Sequence, residues 1–207
     1  FFLHDGYGHI LMDLARGRSL RQIINERGPL PVPLVRAIAR NLLLGLVAVH
    51  RAGYVHGDLH SGNVLLTDLR RGRIKIVDFQ HAARKDRSGK AQAVRRLDRI
   101  RTWLAPETST GLLDDRTDLY GVGYMCAAML LGRNPAAEEI TARARSQTSP
   151  APAPDGPSSA TGRGRGRPLR PNVWEVLATA TQPSPAQRFR SAREMLVALN
   201  RASWTEP

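Results

Sequence analysis

The most informative stretch of the 207 residues is Gly53-Tyr54-Val55-His56-Gly57-Asp58-Leu59-His60-Ser61-Gly62-Asn63-Val64-Leu65-Leu66. A helix ends, a loop presents Asp58, and Asn63 follows five residues later at the mouth of a hairpin. Fifteen residues beyond Asn63, the second strand of that hairpin delivers Asp78 with Phe79. Two carboxylates and an amide converging on the ends of one hairpin make a site for a hard cation that holds phosphates. Mg²⁺ takes oxygen ligands and usually uses one or two carboxylates plus substrate oxygens.

The elements that must position these groups are readable from periodicity. His9 to Leu14 is a short apolar run that reads as a strand. Ser19 is a helix N-cap for Leu20 to Arg27, with Gly28 as the stop. Pro31 and Pro33 open a longer helix, in which Leu34, Val35, Ile38, Leu42, Leu46 and Val49 recur every three or four residues. His50 and Arg51 give that helix a basic end and Gly53 closes it. Val64 to Leu66 and Ile74 to Val77 are two strands of a hairpin. Residues 79–104 show no sustained period and read as a long loop. Leu119 to Leu131 is apolar on all sides, which predicts a helix buried in the middle of the domain. Residues 141–170 are rich in Pro, Ser, Gly and Arg and read as a disordered insertion. Val173 to Ala180 and Ser191 to Leu199 read as amphipathic helices.

Composition bounds the rest. With 42% hydrophobic and 24% charged residues, most of the chain can bury a core. The longest charge-free run, Leu119 to Gly132, is too short to span a bilayer. No secretory leader opens the chain, and Phe1 in place of Met points to a fragment whose upstream part is missing. The 31 basic residues against 18 acidic give +13, a charge that attracts anions. Only Lys75, Lys85 and Lys90 are lysines. The Arg, Ala and Gly excess therefore reads partly as the bias of a GC-rich genome. The single cysteine, Cys126, lies in the apolar run and reads as a core residue, so a reducing, cytoplasmic setting is expected.

From Gly53 onward the sequence resembles the protein kinase superfamily, whose catalytic loop has the form H-R-D-L-x-x-x-N and is followed by D-F-G and A-P-E. The resemblance implies that Asp58 is the catalytic base and that His60 stands where a Lys usually steadies the transferred phosphate. Asn63 and Asp78 would hold Mg²⁺ (or Mn²⁺) on the phosphates of ATP. His56 and Phe79 would stack in the core that keeps these loops in register. The likeness continues through Trp103-Leu104-Ala105-Pro106-Glu107, Asp118-Leu119-Tyr120-Gly121 and Ser184-Pro185-Ala186-Gln187-Arg188-Phe189. It implies that Asp118 braces the catalytic loop and that Arg188 pairs with Glu107. Upstream, Met12-Asp13-Leu14-Ala15 resembles the hinge, so Met12, Asp13 and Ala15, with Leu65, would meet the nucleotide. A lone Asp in a loop is more often a turn former or cap; six motifs in order are not explained that way.

Four positions depart from the family pattern: Gly57, His60, Gln80 and Ile100. Gly57 removes the Arg that commonly pairs with a phosphorylated activation segment, and His60 supplies less charge than Lys. Gln80 replaces the Gly after Asp-Phe and loses its freedom to take positive φ. Ile100 stands where a Thr generally faces the catalytic Asp. Asp58, Asn63 and Asp78 are retained. The small β-rich lobe with its Gly-rich loop, Lys and Glu has no counterpart in the chain, so the fragment alone is expected to bind Mg·ATP weakly and transfer phosphate poorly.

The expected architecture is α+β, mainly α, divided as residues 1–15 (last strand and hinge of the small lobe), 16–140 (the large lobe), 141–170 (the insertion) and 171–203 (its closing helices). The expected reaction is γ-phosphate transfer from ATP to a Ser or Thr hydroxyl of a protein substrate. A pseudokinase scaffold and a small-molecule kinase, similar to aminoglycoside or choline kinases, are the alternatives. The basic residues between Asp78 and Glu107 read as a solvated loop in preference to a docking surface. Arg165 to Pro168, within Gly162-Arg163-Gly164-Arg165-Gly166-Arg167-Pro168, resembles an AT-hook core. As a single copy in a GC-biased linker it reads as linker, and no nucleic-acid partner is expected.

Overall fold

The computed structural model describes residues 2–93, 103–148 and 171–204. The insertion beyond residue 148, the Gly-Arg tract, Ile100 and the basic residues 95–101 lie outside the described residues.

The chain opens with a hairpin of β1 (Phe2–His4) and β2 (Tyr7–His9). Residues 10–17 then run without regular structure. The strand expected over His9 to Leu14 is therefore corrected: only its first residue lies in a strand, because no described segment pairs with residues 10–14. β3 (Arg18–Ser19) leads into α1 (Leu20–Arg27), which Ser19 caps reciprocally with Gln22 and Gly28 ends. α2 (Val32–Arg51) enters through Pro31 and Pro33. Its length and mean hydropathy of 1.7 would suffice to cross a bilayer. Here it packs on α3, α6 and β6 and buries Val35, Ile38, Leu42, Leu43 and Leu46, as a core helix does.

β4 (Tyr54–Val55) precedes the candidate loop, and β5 (Val64–Asp68) with β6 (Arg73–Ile76) forms the hairpin beyond it. β3, β5 and β6 make one antiparallel sheet in that order. β7 (Ala83–Arg84) pairs with β4, and β8 (Ala91–Gln92) pairs with β9 (Leu112–Leu113). The long loop expected over residues 79–104 is thus punctuated by short strands that hold it to the body.

α3 (Asp115–Leu131) runs through the centre, capped by Asp114 and Thr117, with every residue from Thr117 to Leu130 buried. Burial pushes the Cys126 thiol up to about 12, so it is an inert core residue. α4 (Ala137–Thr148) corrects the start of the expected insertion. Ile140 and Ala144, four residues apart, bury one face against α5, and Arg143 lies 5.1 Å over the Trp174 ring. A composition rich in Arg, Ser and Thr hides that two-residue stripe. α5 (Val173–Ala180) and α6 (Ala192–Arg201) close the domain, which is α+β and mainly helical.

Candidate active site

The loop between β4 and β5 is held from below by one carboxylate. Asp118, on the first turns of α3 and 1% exposed, accepts backbone N–H bonds from His56 and Gly57, each at 2.9 Å. It also accepts a bond from His50 Nε2 at 2.8 Å. With three donors, a buried carboxylate is satisfied, and the loop is fixed to the central helix. α3 passes close enough that a methyl group on Gly121 would stand 2.4 Å from the Leu59 carbonyl oxygen.

Asp58 sits on this platform, 9% exposed. Its N–H points to His56 Nδ1 at 3.4 Å, so the His56 proton lies on Nε2 and is donated to the Val77 carbonyl at 3.1 Å. The Asn63 side-chain amide donates to the Asp58 carbonyl at 3.0 Å. Gly62 N–H donates to His60 Nδ1 at 2.9 Å. That bond puts the His60 proton on Nε2, 3.8 Å from Oδ2 of Asp58. Asp58 and His60 thus face each other as a carboxylate and an N–H donor, with Trp103 edge-on to the imidazole at 6.0 Å.

Val77 N–H donates to the Asn63 carbonyl at 2.9 Å, which brings Asp78 to the same mouth of the hairpin. Asp78 is exposed and takes φ of +64°, and among the described residues its carboxylate is tied only by a 3.5 Å contact from the Gln80 amide. Gln80 itself needs no positive φ, since the left-handed residue is Asp78. The expected cost of losing Gly at that position is absent. The Asn63 amide oxygen has no protein donor among the described residues. An Asn63 amide oxygen with no described protein donor and an Asp78 carboxylate with one loose oxygen contact, at one hairpin mouth, fit a hard cation such as Mg²⁺.

Three sequence readings are adjusted by the geometry. Phe79 touches His56, ring centroids 4.8 Å apart, but is 46% exposed and outside the core, because no described segment covers its outer face. Met12 is 74% exposed, Asp13 is exposed and Ala15 half-buried, on the segment that no strand covers. Leu65 is half-buried on the face of β5 opposite the buried Val64 and Leu66. The basic segment after Asp78 is not simply solvated. Lys85 pairs with Asp115 and Lys90 with Asp114, each at 2.6 Å, and Arg116 joins Asp114. Burial would raise the Asp114 carboxyl, but Arg116 and Lys90 outweigh it and hold it down at about 2.

Further along, Arg188 is buried with a bidentate pair to Glu107 at 2.7 and 2.9 Å. Its remaining N–H groups go to the carbonyls of Gln182, Arg116 and Pro183, and Tyr120 lies beneath it at 4.9 Å. Thr117 donates to Glu107 at 3.0 Å, so this pair is tied to the same helix that carries Asp118.

The sequence matches the protein kinase domain family over residues 1–193. The chain belongs to the protein kinase family. The serine/threonine-protein kinase PknL of Mycobacterium tuberculosis is 35% identical over 127 residues, 61% of this chain and 31% of PknL. A probable serine/threonine-protein kinase of Clostridium perfringens, CPE1738, is 31% identical over 132 residues, 63% of this chain and 19% of that protein. The crystal structure of the Mycobacterium tuberculosis PknI kinase domain matches with a TM-score of 0.60 at 26% identity, covering 91% of this chain and 64% of that one. The chain therefore spans a third or less of the length of both curated relatives.

Within the kinase frame, Gly57 has a local cause. Its φ is +78°, and a Cβ there would meet the His81 carbonyl oxygen at 3.0 Å and the Leu113 side chain at 3.1 Å. Any side chain at this position, Arg included, would be strained. His50 is the site residue that sequence reasoning missed. The signal was its place on the buried stripe of α2, four residues after Leu46.

Proposed function

We propose that this chain is the catalytic half of a serine/threonine protein kinase that transfers the γ-phosphate of ATP to a Ser or Thr hydroxyl. The observation that carries the reading is Asp58: a carboxylate on a loop clamped to α3 by Asp118, facing His60 and adjoining two oxygen groups, on Asn63 and Asp78, left for a cation.

In this reading Asp58 receives or orients the proton of the attacking hydroxyl, and the Ser or Thr oxygen forms the bond to phosphorus as the bond to the ADP oxygen breaks. His60, its Nε2–H beside that carboxylate, orients Asp58 and can donate to a phosphate oxygen. Asn63 and Asp78 would hold Mg²⁺ or Mn²⁺, which neutralises phosphate charge when bound. Leu65 and the segment of Met12, Asp13 and Ala15 would contact the nucleotide. The Glu107–Arg188 pair argues for a protein substrate over a small molecule, because it anchors the segment beside which a peptide would lie.

The test is transfer from γ-labelled ATP by the full-length protein with Mg²⁺ or Mn²⁺, beside an Asp78→Asn control. Label on the protein or on an added Ser/Thr substrate, lost in the control, supports the reading. A folded full-length protein with no label above the control would favour a pseudokinase.

A further inference from the structure

Arg21 is the second residue of α1, at the end of a helix whose dipole opposes a cation, and no acidic residue stands in that first turn. Its backbone N–H donates to the Ser61 carbonyl at 2.9 Å, which ties α1 to the catalytic loop. The side chain is exposed, and among the described residues no carboxylate pairs with it. Its guanidinium lies against the loop. The point where a methyl group on Gly62 would stand is 3.3 Å from Arg21 Cζ, 2.7 Å from His60 Cε1 and 2.9 Å from His60 Nδ1.

Arg21 and His60 accordingly face one small cavity of about 40 Å³, completed by Ser61, Trp103, Met125 and Ala128 among others. Among the described residues, no acidic one lines it. By volume it takes about three water-sized atoms, the size of a carboxylate group. His60 Nε2 is 3.8 Å from Oδ2 of Asp58. The guanidinium carbon is therefore no more than about 11 Å from the catalytic carboxylate, at most about three residues of extended peptide.

We propose that Arg21 is a specificity-determining residue, receiving an anionic side chain of the peptide substrate within about three residues of the accepting hydroxyl. The proposal rests on the protein kinase reading above. An Arg fork pairs carboxylate and phosphate oxygens bidentately, so Asp, Glu and a phosphorylated residue share the chemistry. An anion there also offsets a cation that the α1 dipole disfavours and that has no counter-charge among the described residues.

The test is peptide binding by the full-length protein, read by fluorescence anisotropy without turnover. The peptides carry Ala in place of the acceptor Ser, with Glu, phosphoserine, Ala or Arg placed in turn at each of the three positions on either side. Wild type should bind Glu at one position about fivefold tighter than Ala there, and phosphoserine more tightly still. Arg21→Ala should erase that preference and Arg21→Glu should turn it toward Arg, both with an unchanged melting temperature. Equal affinity for the Glu, phosphoserine and Ala peptides at every position, or a preference that survives Arg21→Glu, overturns the proposal. Preference for phosphoserine alone would identify a substrate phosphorylated beforehand; equal preference for Glu would identify a plain acidic one. Phosphate transfer measured alongside separates the two readings. Transfer without an anionic preference fails this proposal only, and an Arg21-dependent preference without transfer fails the kinase reading only.

Discussion

The catalytic loop and the N-terminal edge are built in opposite ways. Around Asp58, the carboxylate of Asp118 is saturated by three donors and His56 and Asn63 are buried in hydrogen bonds. Along residues 2–14, Leu3, Tyr7, Ile10, Leu11, Met12 and Leu14 are each more than 70% exposed. Both regions belong to the same nucleotide-site reading, yet only one is pre-organised by the described residues. Helix α3 makes the difference: it supplies Asp118 beneath the loop and Thr117 to the Glu107–Arg188 pair, while no described element stands over the edge.

From that contrast, substitutions in the pinned half should be costly and those at the edge nearly silent. The largest effect is expected for Arg188→Ala, which takes the bidentate counter-charge from the Glu107 carboxylate and a donor from each of three carbonyls. Breaking such a buried pair costs about 3–5 kcal/mol, read by urea unfolding. A loss under 1 kcal/mol would mean the pair is not structural.

Next comes acid. The folded Asp114 carboxyl, held at about 2, lies below its ordinary 3.8. Its contribution is therefore complete above about pH 4 and lost as pH falls through the folded value. The size is on the order of 2 kcal/mol. Asp114→Asn should flatten that part of the stability profile between about pH 4 and 2; an unaltered acid limb would remove Asp114 from the account.

Gly57→Ala should cost about 1–2 kcal/mol, because its φ of +78° disfavours any Cβ and the His81 carbonyl stands 3.0 Å away. Smallest is Leu11→Ser, at 84% exposure, which should change the stability of the 207-residue chain by less than about 0.5 kcal/mol. A larger loss would show that the edge is packed after all and would blunt the contrast.

Much of this was legible beforehand where one residue decides a local outcome. Ser19, Gly28, Pro31 and Pro33 mark helix ends that the structure has at those residues, and the all-apolar run from Leu119 announced a central helix. Asp58, Asn63 and Asp78 stand out once their segments are seen to resemble the kinase motifs. Hidden features depend on partners far along the chain. His50 looks like a basic helix end until Asp118 is seen beside it, 68 residues away in sequence. Lys85 and Lys90 look solvated until Asp115 and Asp114 face them. Ile140 and Ala144 are too short a stripe to overrule a polar composition, and Gln80 looked strained only because the left-handed position was placed two residues too late. Residues 10–14 read as a strand by composition, but a strand needs a pairing partner.

The most direct measurement is a comparison of wild type and Asp58→Asn in the full-length protein, following the phosphate-transfer rate, ATP affinity and melting temperature together. With the loop held through Asp118 and the side chains of Asn63 and Asp78 left intact, Asp58→Asn should lower the rate about 10²–10⁴-fold while affinity and melting temperature stay near wild type. A rate unchanged by Asp58→Asn would contradict the assignment of this carboxylate as the group that takes the proton.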